Sequence, residues 1–291
     1  MSFVKISYNN IFNESEIKEF VDSILIKEVK NMRKIDFYYW GDQCPHNCKI
    51  RQLLSNFSND KRCKINLFDI SNDYNIAKRL NIFSPNMIII DNDLRWHGPI
   101  SIDNLENILN GIIPEAKPYN AKVSNNIIRG DIKDLTEKTI IDTCALCSSS
   151  KKDIYCKDKG NWIKALRQRY NLPHMGKLHY LNENCIGGAE FIPSVAVPYL
   201  IPKTEDMAFL TCSFTTSEDG DYKTYPLQRL EEELPSLGFK SIIAIVSENT
   251  PFPNGPFDWF LDKGYIDLGF IYNEERHFAK IHLIKKNLMD I

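Results

Sequence analysis

Two groups of cysteines have spacings that could do chemistry. Cys44-Pro45-His46-Asn47-Cys48 places two thiols four positions apart, where a strand-forming run from Lys34 to Trp40 gives way to a helical pattern through Ile50, Leu53 and Leu54. A cysteine at a helix N-terminus has its thiolate stabilised by unpaired N–H groups and the macrodipole, which makes Cys44 the nucleophile of the pair. Positions i and i+4 share a helix face, with Cα atoms roughly 6 Å apart, so a Cys44–Cys48 bridge is within reach but strained. The alternatives are metal binding by Cys44, His46 and Cys48 with Cys63 as fourth ligand, or a redox-inactive docking surface. The second group is Cys144-Ala145-Leu146-Cys147 with Cys156. With Cys185 or His174 it could form a zinc knuckle, but no second C-x-x-C accompanies it, and thiol exchange with Cys44 or plain reduced thiols are the other readings. No metal is assigned. His174, His179, His277 and His282 are scattered and read as hydrogen-bonded core or surface residues.

The elements that must position these groups follow from periodicity. A strand at Phe3–Tyr8 and an amphipathic helix through Ile17, Phe20, Val21, Ile24 and Leu25 come first. Strands follow at Lys34–Trp40, Lys64–Ile70, Ser84–Ile90 and Leu94–His97, with helices after Cys48, around Tyr74–Leu80 and at Ile102–Leu109. Gly111-Ile112-Ile113-Pro114-Glu115-Ala116-Lys117-Pro118 is rich in helix breakers and is read as a linker over 113–118, dividing a unit 1–112 from a unit 119–291. The second unit is expected to run strand (Ala121–Ile128), helix (Asn161–Tyr170) and strands Lys177–Leu181, Cys185–Val195 and Met207–Phe214. A helix through Leu227, Leu230 and Leu234, a strand Ser241–Val246, a helix Phe257–Lys263 and strands across Ile266–Ile284 complete it. Strands alternating with helices give an α/β class.

The first unit resembles the thioredoxin-like superfamily in its element order and in Trp40, Cys44, Pro45, His46 and Cys48, with Pro85 where that family keeps a cis-proline facing its thiols. The family places its second cysteine three positions on; here Asn47 intervenes. The second unit is similar to the GNAT acetyltransferases, and in particular to a YoaP-like subgroup that pairs the same two modules in the opposite order. The resemblance is carried by Asn161–Tyr170, Gly176-Lys177, Ile186–Pro193, Met207–Cys212 and Asn254–Tyr265. It implies a mixed sheet splayed between its fourth and fifth strands, with acetyl-CoA pairing to the edge Phe209, Leu210, Thr211, Cys212, Ser213 and Phe214. Its pyrophosphate would rest on the turn Gly220, Asp221, Tyr222, Lys223, Thr224 and Tyr225, with Asn254 and Phe260 also beside the coenzyme. The turn is poor in glycine and carries Glu218, Asp219 and Asp221 against Lys223. The resemblance further implies Glu190 as general base, directly or through water, with a solvated strand glutamate as the competing reading. Backbone N–H groups near Leu210–Cys212 would polarise the thioester carbonyl. The family's tyrosine acid is replaced by Phe260, leaving Cys212, Tyr222 or Tyr225 to protonate the departing thiolate.

Composition limits the alternatives. Lys and Arg number 36 against 38 Asp and Glu, so there is no electrostatic case for nucleic acid. No apolar run is long enough to span a bilayer, and the cysteines read as cytoplasmic thiols. The expectation is a cytoplasmic N-acetyltransferase that uses acetyl-CoA on a small amine or amino-acid-like acceptor, fused to a module able to engage a thiol partner. The competing class is a thiol redox or sensing protein, metal-responsive in one version, whose second half only binds a ligand or partner.

Overall fold

A computed structural model describes residues 32–118, 124–143, 154–215, 219–250 and 252–288. The expected strand at Phe3–Tyr8 and the helix after it lie outside these residues, as do Cys144 and Cys147.

Four strands form the first sheet: β1 (Arg33–Tyr39), β2 (Cys63–Asp69), β3 (Asn86–Ile90) and β4 (Leu94–His97), in the order β2-β1-β3-β4. β1 runs parallel to β2 and antiparallel to β3, and β3 is antiparallel to β4. The helices are α1 (Pro45–Ser55), α2 (Tyr74–Arg79) and α3 (Ile102–Leu109). The period of two along β1 and β3 sorts their side chains. Ile35, Phe37, Ile88 and Ile90 meet Ile50 and Leu54 of α1 and Leu105 and Ile108 of α3 on one face. Tyr38, Trp40, Met87 and Ile89 point to the other face, into a core continuous with the second half of the chain. β3 has no solvent face because both of its sides are covered.

The second sheet contains β5 (Asp131–Asp134), β6 (Gly176–Leu181), β7 (Asn184–Pro193), β8 (Met207–Thr215), β9 (Ser241–Ser247), β10 (Ile266–Glu274) and β11 (Ala279–Asn287). Their order is β10-β11-β9-β8-β7-β6-β5, and only β8 and β9 are parallel. α4 (Ile154–Tyr170), α5 (Thr224–Glu233) and α6 (Phe257–Asp262) accompany it. The expected strand at Ala121–Ile128 is corrected: within 124–128 only Ile127 makes a bridge, to Asp221, and the edge strand lies at 131–134. Asp131-Ile132-Lys133-Asp134 is mostly exposed, so it carries no alternation for a hydrophobic pattern to reveal. No helix among the described residues is long and apolar enough to cross a membrane.

Polar contacts also join the two sheets. Arg95 forks onto Glu274, with Nη2–Oε1 2.6 Å and Nε–Oε2 2.8 Å. The His97 backbone N–H donates to His277 Nε2 at 3.2 Å, and His97 Nε2 lies 2.9 Å from the Phe252 carbonyl oxygen. Burial holds both imidazoles down at about 4; Arg95 pushes His97, and His97 pushes His277, the same way. The unfolded chain takes up protons near the ordinary histidine value while the folded protein does not, so stability should fall as pH drops from about 6.5 towards 4. Buried His97 alone accounts for up to about 3 kcal/mol of this. Urea midpoints at about pH 7 and about pH 5 check it, and equal midpoints would count against the burial argument.

Candidate active site

The site begins at an irregularity in β8. Glu190 pairs with Cys212 but Phe191 pairs with Leu210, which leaves Thr211 as an extra residue. A bulge sharpens the local twist and interrupts pairing. β8 accordingly keeps its ladder with β9 only over Met207–Leu210 against Ser241–Ala244. Phe209 and Leu210 are therefore buried and paired with β9, correcting their assignment to a free edge; the opening starts at Thr211.

Glu190 projects from β7 at this bulge and is 1% exposed, which excludes a solvated strand glutamate. Its Oε2 is 2.5 Å from Lys159 Nζ of α4, a side chain that is itself buried. Oε1 accepts from Thr211 Oγ1 at 2.7 Å and from Gln43 Nε2 at 3.1 Å. Burial pushes the Lys159 ammonium down, but the Glu190 carboxylate and then Cys212 and Cys44 outweigh it and hold the group above the ordinary lysine value. Cys212 and Cys44 are half-buried thiols that both act on this one cation.

Cys44 reaches the site because the start of α1 docks on α4 and β7. It is the N-cap residue, Pro45 opens the helix, and no side chain caps the end. Around it Gln43 bonds Glu190, Trp40 packs edge-on against Trp162 and Tyr199, and Cys48 Sγ donates to Asp158 Oδ2 at 3.4 Å. The Tyr199 hydroxyl is buried, with no hydrogen-bond partner among the described residues. Burial, then the Cys44 charge, pushes it well above the ordinary tyrosine value. Cys44 and Cys48 are not bridged. Burial, followed by the bond to Asp158, pushes the Cys48 thiol up to about 11, so this cysteine is held protonated rather than poised to resolve a disulfide. The peptide bond before Pro85 is not cis, a correction to the expected cis-proline. Its carbonyl accepts from the Trp40 N–H at 2.9 Å, which fixes the strand end ahead of the thiol.

The turn expected to bind pyrophosphate has a different internal use. The Asp221 carboxylate lies over the start of α5. Oδ1 accepts from the backbone N–H groups of Lys223 and Thr224 at 3.0 and 2.9 Å, and Oδ2 accepts from Thr224 Oγ1 at 2.5 Å. The Asp221 N–H donates to the Asn126 carbonyl, and its own carbonyl accepts from Ile128 N–H. A Cβ on Gly220 would lie 2.7 Å from Ile128 Cγ1, so the glycine admits this neighbouring segment. Tyr222 uses its carbonyl on His179 Nδ1, and the Tyr225 ring packs edge-on against the His179 ring.

Lys223 does not face the turn. Its Nζ donates to the Gly255 carbonyl at 2.6 Å and lies 4.6 Å from the Trp259 ring centroid and 5.5 Å from that of Phe260. Burial lowers it to about 8, against the opposing pull of Cys212 and Asp221. Phe260 is a core residue between Trp259 and Tyr265. Asn254 spans the opening itself: Oδ1 accepts from Ser213 N–H at 3.0 Å, and Nδ2 donates to the Ile245 carbonyl at 3.3 Å.

The fit to coenzyme A therefore differs between its two ends. The reacting end meets a bulged strand, a half-buried Cys212, a buried ion pair and a buried ammonium on Lys223. Among the described residues the nucleotide end does not fit, since a carboxylate already holds the helix N-terminus and a protein amide holds the Ser213 rung. Sequence reading missed Gln43, Lys159, Thr211 as a ligand of Glu190, and Tyr199. Only Asp221 left a local signal, an acidic residue three positions before the first helical residue.

Elsewhere, Asp134, His174 and Glu233 have ligand atoms within 4.8 Å of one another. The Lys177 ammonium is bound to both carboxylates and supplies their cation. Cys156 is disulfide-bonded, to a partner outside the described residues.

No family model and no curated protein matches the chain. Among solved structures it is similar to an N-acetyltransferase from Staphylococcus aureus Mu50, at 12% identity and TM-score 0.41 over 54% of this chain and 98% of that one. It is also similar to a ribosomal-protein-alanine N-acetyltransferase from Brucella melitensis, at 14% and 0.40 over 54% and 99%. An aminoglycoside 6'-N-acetyltransferase complexed with coenzyme A aligns at 12% and 0.39 over 55% and 97%. All three are N-acetyltransferases.

Proposed function

We propose that the chain is a GNAT-type N-acyltransferase of the YoaP-like kind, joined to a thioredoxin-like module. It takes an acetyl group from a thioester, acetyl-CoA being the donor its motifs name, and passes it to a small amine or amino-acid-like acceptor. The observation that carries this reading is the opening between β8 and β9 at the Thr211 bulge, with Cys212, the Glu190–Lys159 pair and Lys223 gathered around it. The order β2-β1-β3-β4, with Cys44 at the start of α1, supports the thioredoxin-like reading.

A bound thioester supplies an activated carbonyl. Main-chain N–H groups at the Thr211–Cys212 bulge polarise it, because fixed dipoles need no reorganisation when charge develops. Glu190 receives the proton lost by the amine through the Thr211 hydroxyl, 2.7 Å from Oε1, while Lys159 keeps the carboxylate in place. Lys223, beside the Phe260 that replaces the family's tyrosine, gives a proton to the departing thiolate. The test is acetyl transfer from acetyl-CoA and from S-acetyl-N-acetylcysteamine to a panel of amines and amino acids. Transfer from neither of these donors nor from an acetylated carrier protein would remove the reading.

A second reading has its own observation, the docking of Cys44 beside a buried ammonium and at a helix N-terminus, both of which favour thiolate. On this reading the protein forms a mixed disulfide with a thiol partner. With glutathione disulfide, Cys44 should be trapped within minutes and Cys48 should stay unmodified in the folded protein, as peptide mass mapping would show. Equal labelling of the two would argue for a docking module instead.

A further inference from the structure

The nucleotide end of the crevice bears on what the donor is, and the argument rests on the acyl-transfer reading. A helix N-terminus binds phosphate when its first N–H groups are unpaired and its dipole is unopposed. At α5 the Asp221 carboxylate removes both conditions from within, receiving the Lys223 and Thr224 N–H groups and the Thr224 hydroxyl. A phosphate there would displace a bonded carboxylate or sit against its charge. The Asn126–Ile128 segment lies across the same turn, bonded to Asp221 in both directions and packed on Gly220. Lys223 is turned inward to Gly255 and Trp259, and Lys263, 4.0 Å from Asp221 Oδ2, is directed at the internal anion. In the described part of the turn, the protein has built its own substitute for the pyrophosphate.

We infer that the acyl donor is recognised at its thioester end and not through a nucleotide. Its class is short acyl thioesters, either free or carried on the pantetheine arm of a carrier protein. Remote binding groups raise kcat/KM only where the enzyme grips them, and among the described residues the N-terminus of α5 is closed to the pyrophosphate.

Two measurements on the unaltered protein test this. Donor kinetics would compare acetyl-CoA, S-acetyl-N-acetylcysteamine and an acetylated carrier protein, and calorimetry would titrate adenosine 3',5'-bisphosphate. The expectation is that acetyl-CoA and the cysteamine thioester agree within about tenfold and that the bisphosphate gives no binding heat. A preference for the carrier protein would assign the donor to a protein-bound source, and parity with the cysteamine thioester to a free one. An advantage of acetyl-CoA on the order of 100-fold or more, or stoichiometric bisphosphate binding alongside active transfer, overturns the inference and leaves the acyl-transfer reading standing. Failure of all three donors removes that reading, and the inference with it.

Discussion

Lys159→Met should destabilise the fold by about 3–5 kcal/mol, because it leaves the Glu190 carboxylate buried without its counter-charge. Both side chains are almost fully buried, and Oε2 lies 2.5 Å from the ammonium, so solvent screening gives little relief. Thr211 and Gln43 remain as neutral donors to Oε1 and cannot replace a cation. A Lys159→Met/Glu190→Gln double variant should recover most of the loss, since removing both charges also removes the desolvation penalty. Lys159 is held above its ordinary value, so the pair's contribution is present throughout neutral pH and is lost only as pH rises above the lysine range. Urea unfolding of the two variants decides the matter. A single-variant loss below about 1 kcal/mol would mean that the pair is weaker than its burial implies.

Lys223→Met should lower kcat on the order of 100-fold, the usual scale for removing a general acid, with a smaller change in KM. The same change should stabilise the fold near neutral pH. Burial lowers the ammonium to about 8, against an ordinary value of 10.5. Its retention as a cation therefore costs up to about 3 kcal/mol at pH 7. Below about pH 8 both folded and unfolded chains carry the proton and the penalty is complete. From about pH 8 to about 10.5 the folded protein has lost it while the unfolded chain keeps it, so stability of the unaltered protein should rise relative to the variant. A purely structural lysine would show the stability change alone. The catalytic assignment also requires kcat, measured with a short thioester, to fall above about pH 8 in the unaltered protein. A variant that retains turnover within about threefold, with the same pH profile, would remove Lys223 from the role.

The acid sensitivity of the His97–His277 contact and the buried Lys159–Glu190 pair have a common origin in the two sheets sharing one core. Gln43 and Glu190 are 147 positions apart, and Arg95 and Glu274 are 179 apart. Each pairs as it does because the two halves of the chain pack on one core and exclude water from the contact.

Much of the architecture was legible in the sequence. Ser84–Ile90 is read as a buried strand, Lys34–Trp40 and Ser241–Val246 as strands, and Cys44-Pro45 as a helix start; the structure has strands at Asn86–Ile90, Arg33–Tyr39 and Ser241–Ser247 and a helix from Pro45. These are local properties: backbone sterics and the 2.0 and 3.6 periodicities act within one element. Asp131–Asp134 escaped because a short polar edge strand has no such period.

The site was legible only in part. Glu190, Cys212 and Cys44 are singled out as reactive groups and Lys223 and Asp221 only as phosphate-turn residues, while Lys159 falls just before the expected helix Asn161–Tyr170 and carries no signal of its own. Sequence by itself determined the order of strands and helices and which side chains seek the interior, since these are set by near neighbours. Tertiary structure alone decided that Cys44 meets the Lys159–Glu190 pair and that Lys223 turns inward to Gly255. Charge pairing and desolvation depend on what is packed within a few ångströms, and here those neighbours come from separate stretches of chain around Gln43, Lys159, Glu190, Lys223 and Gly255.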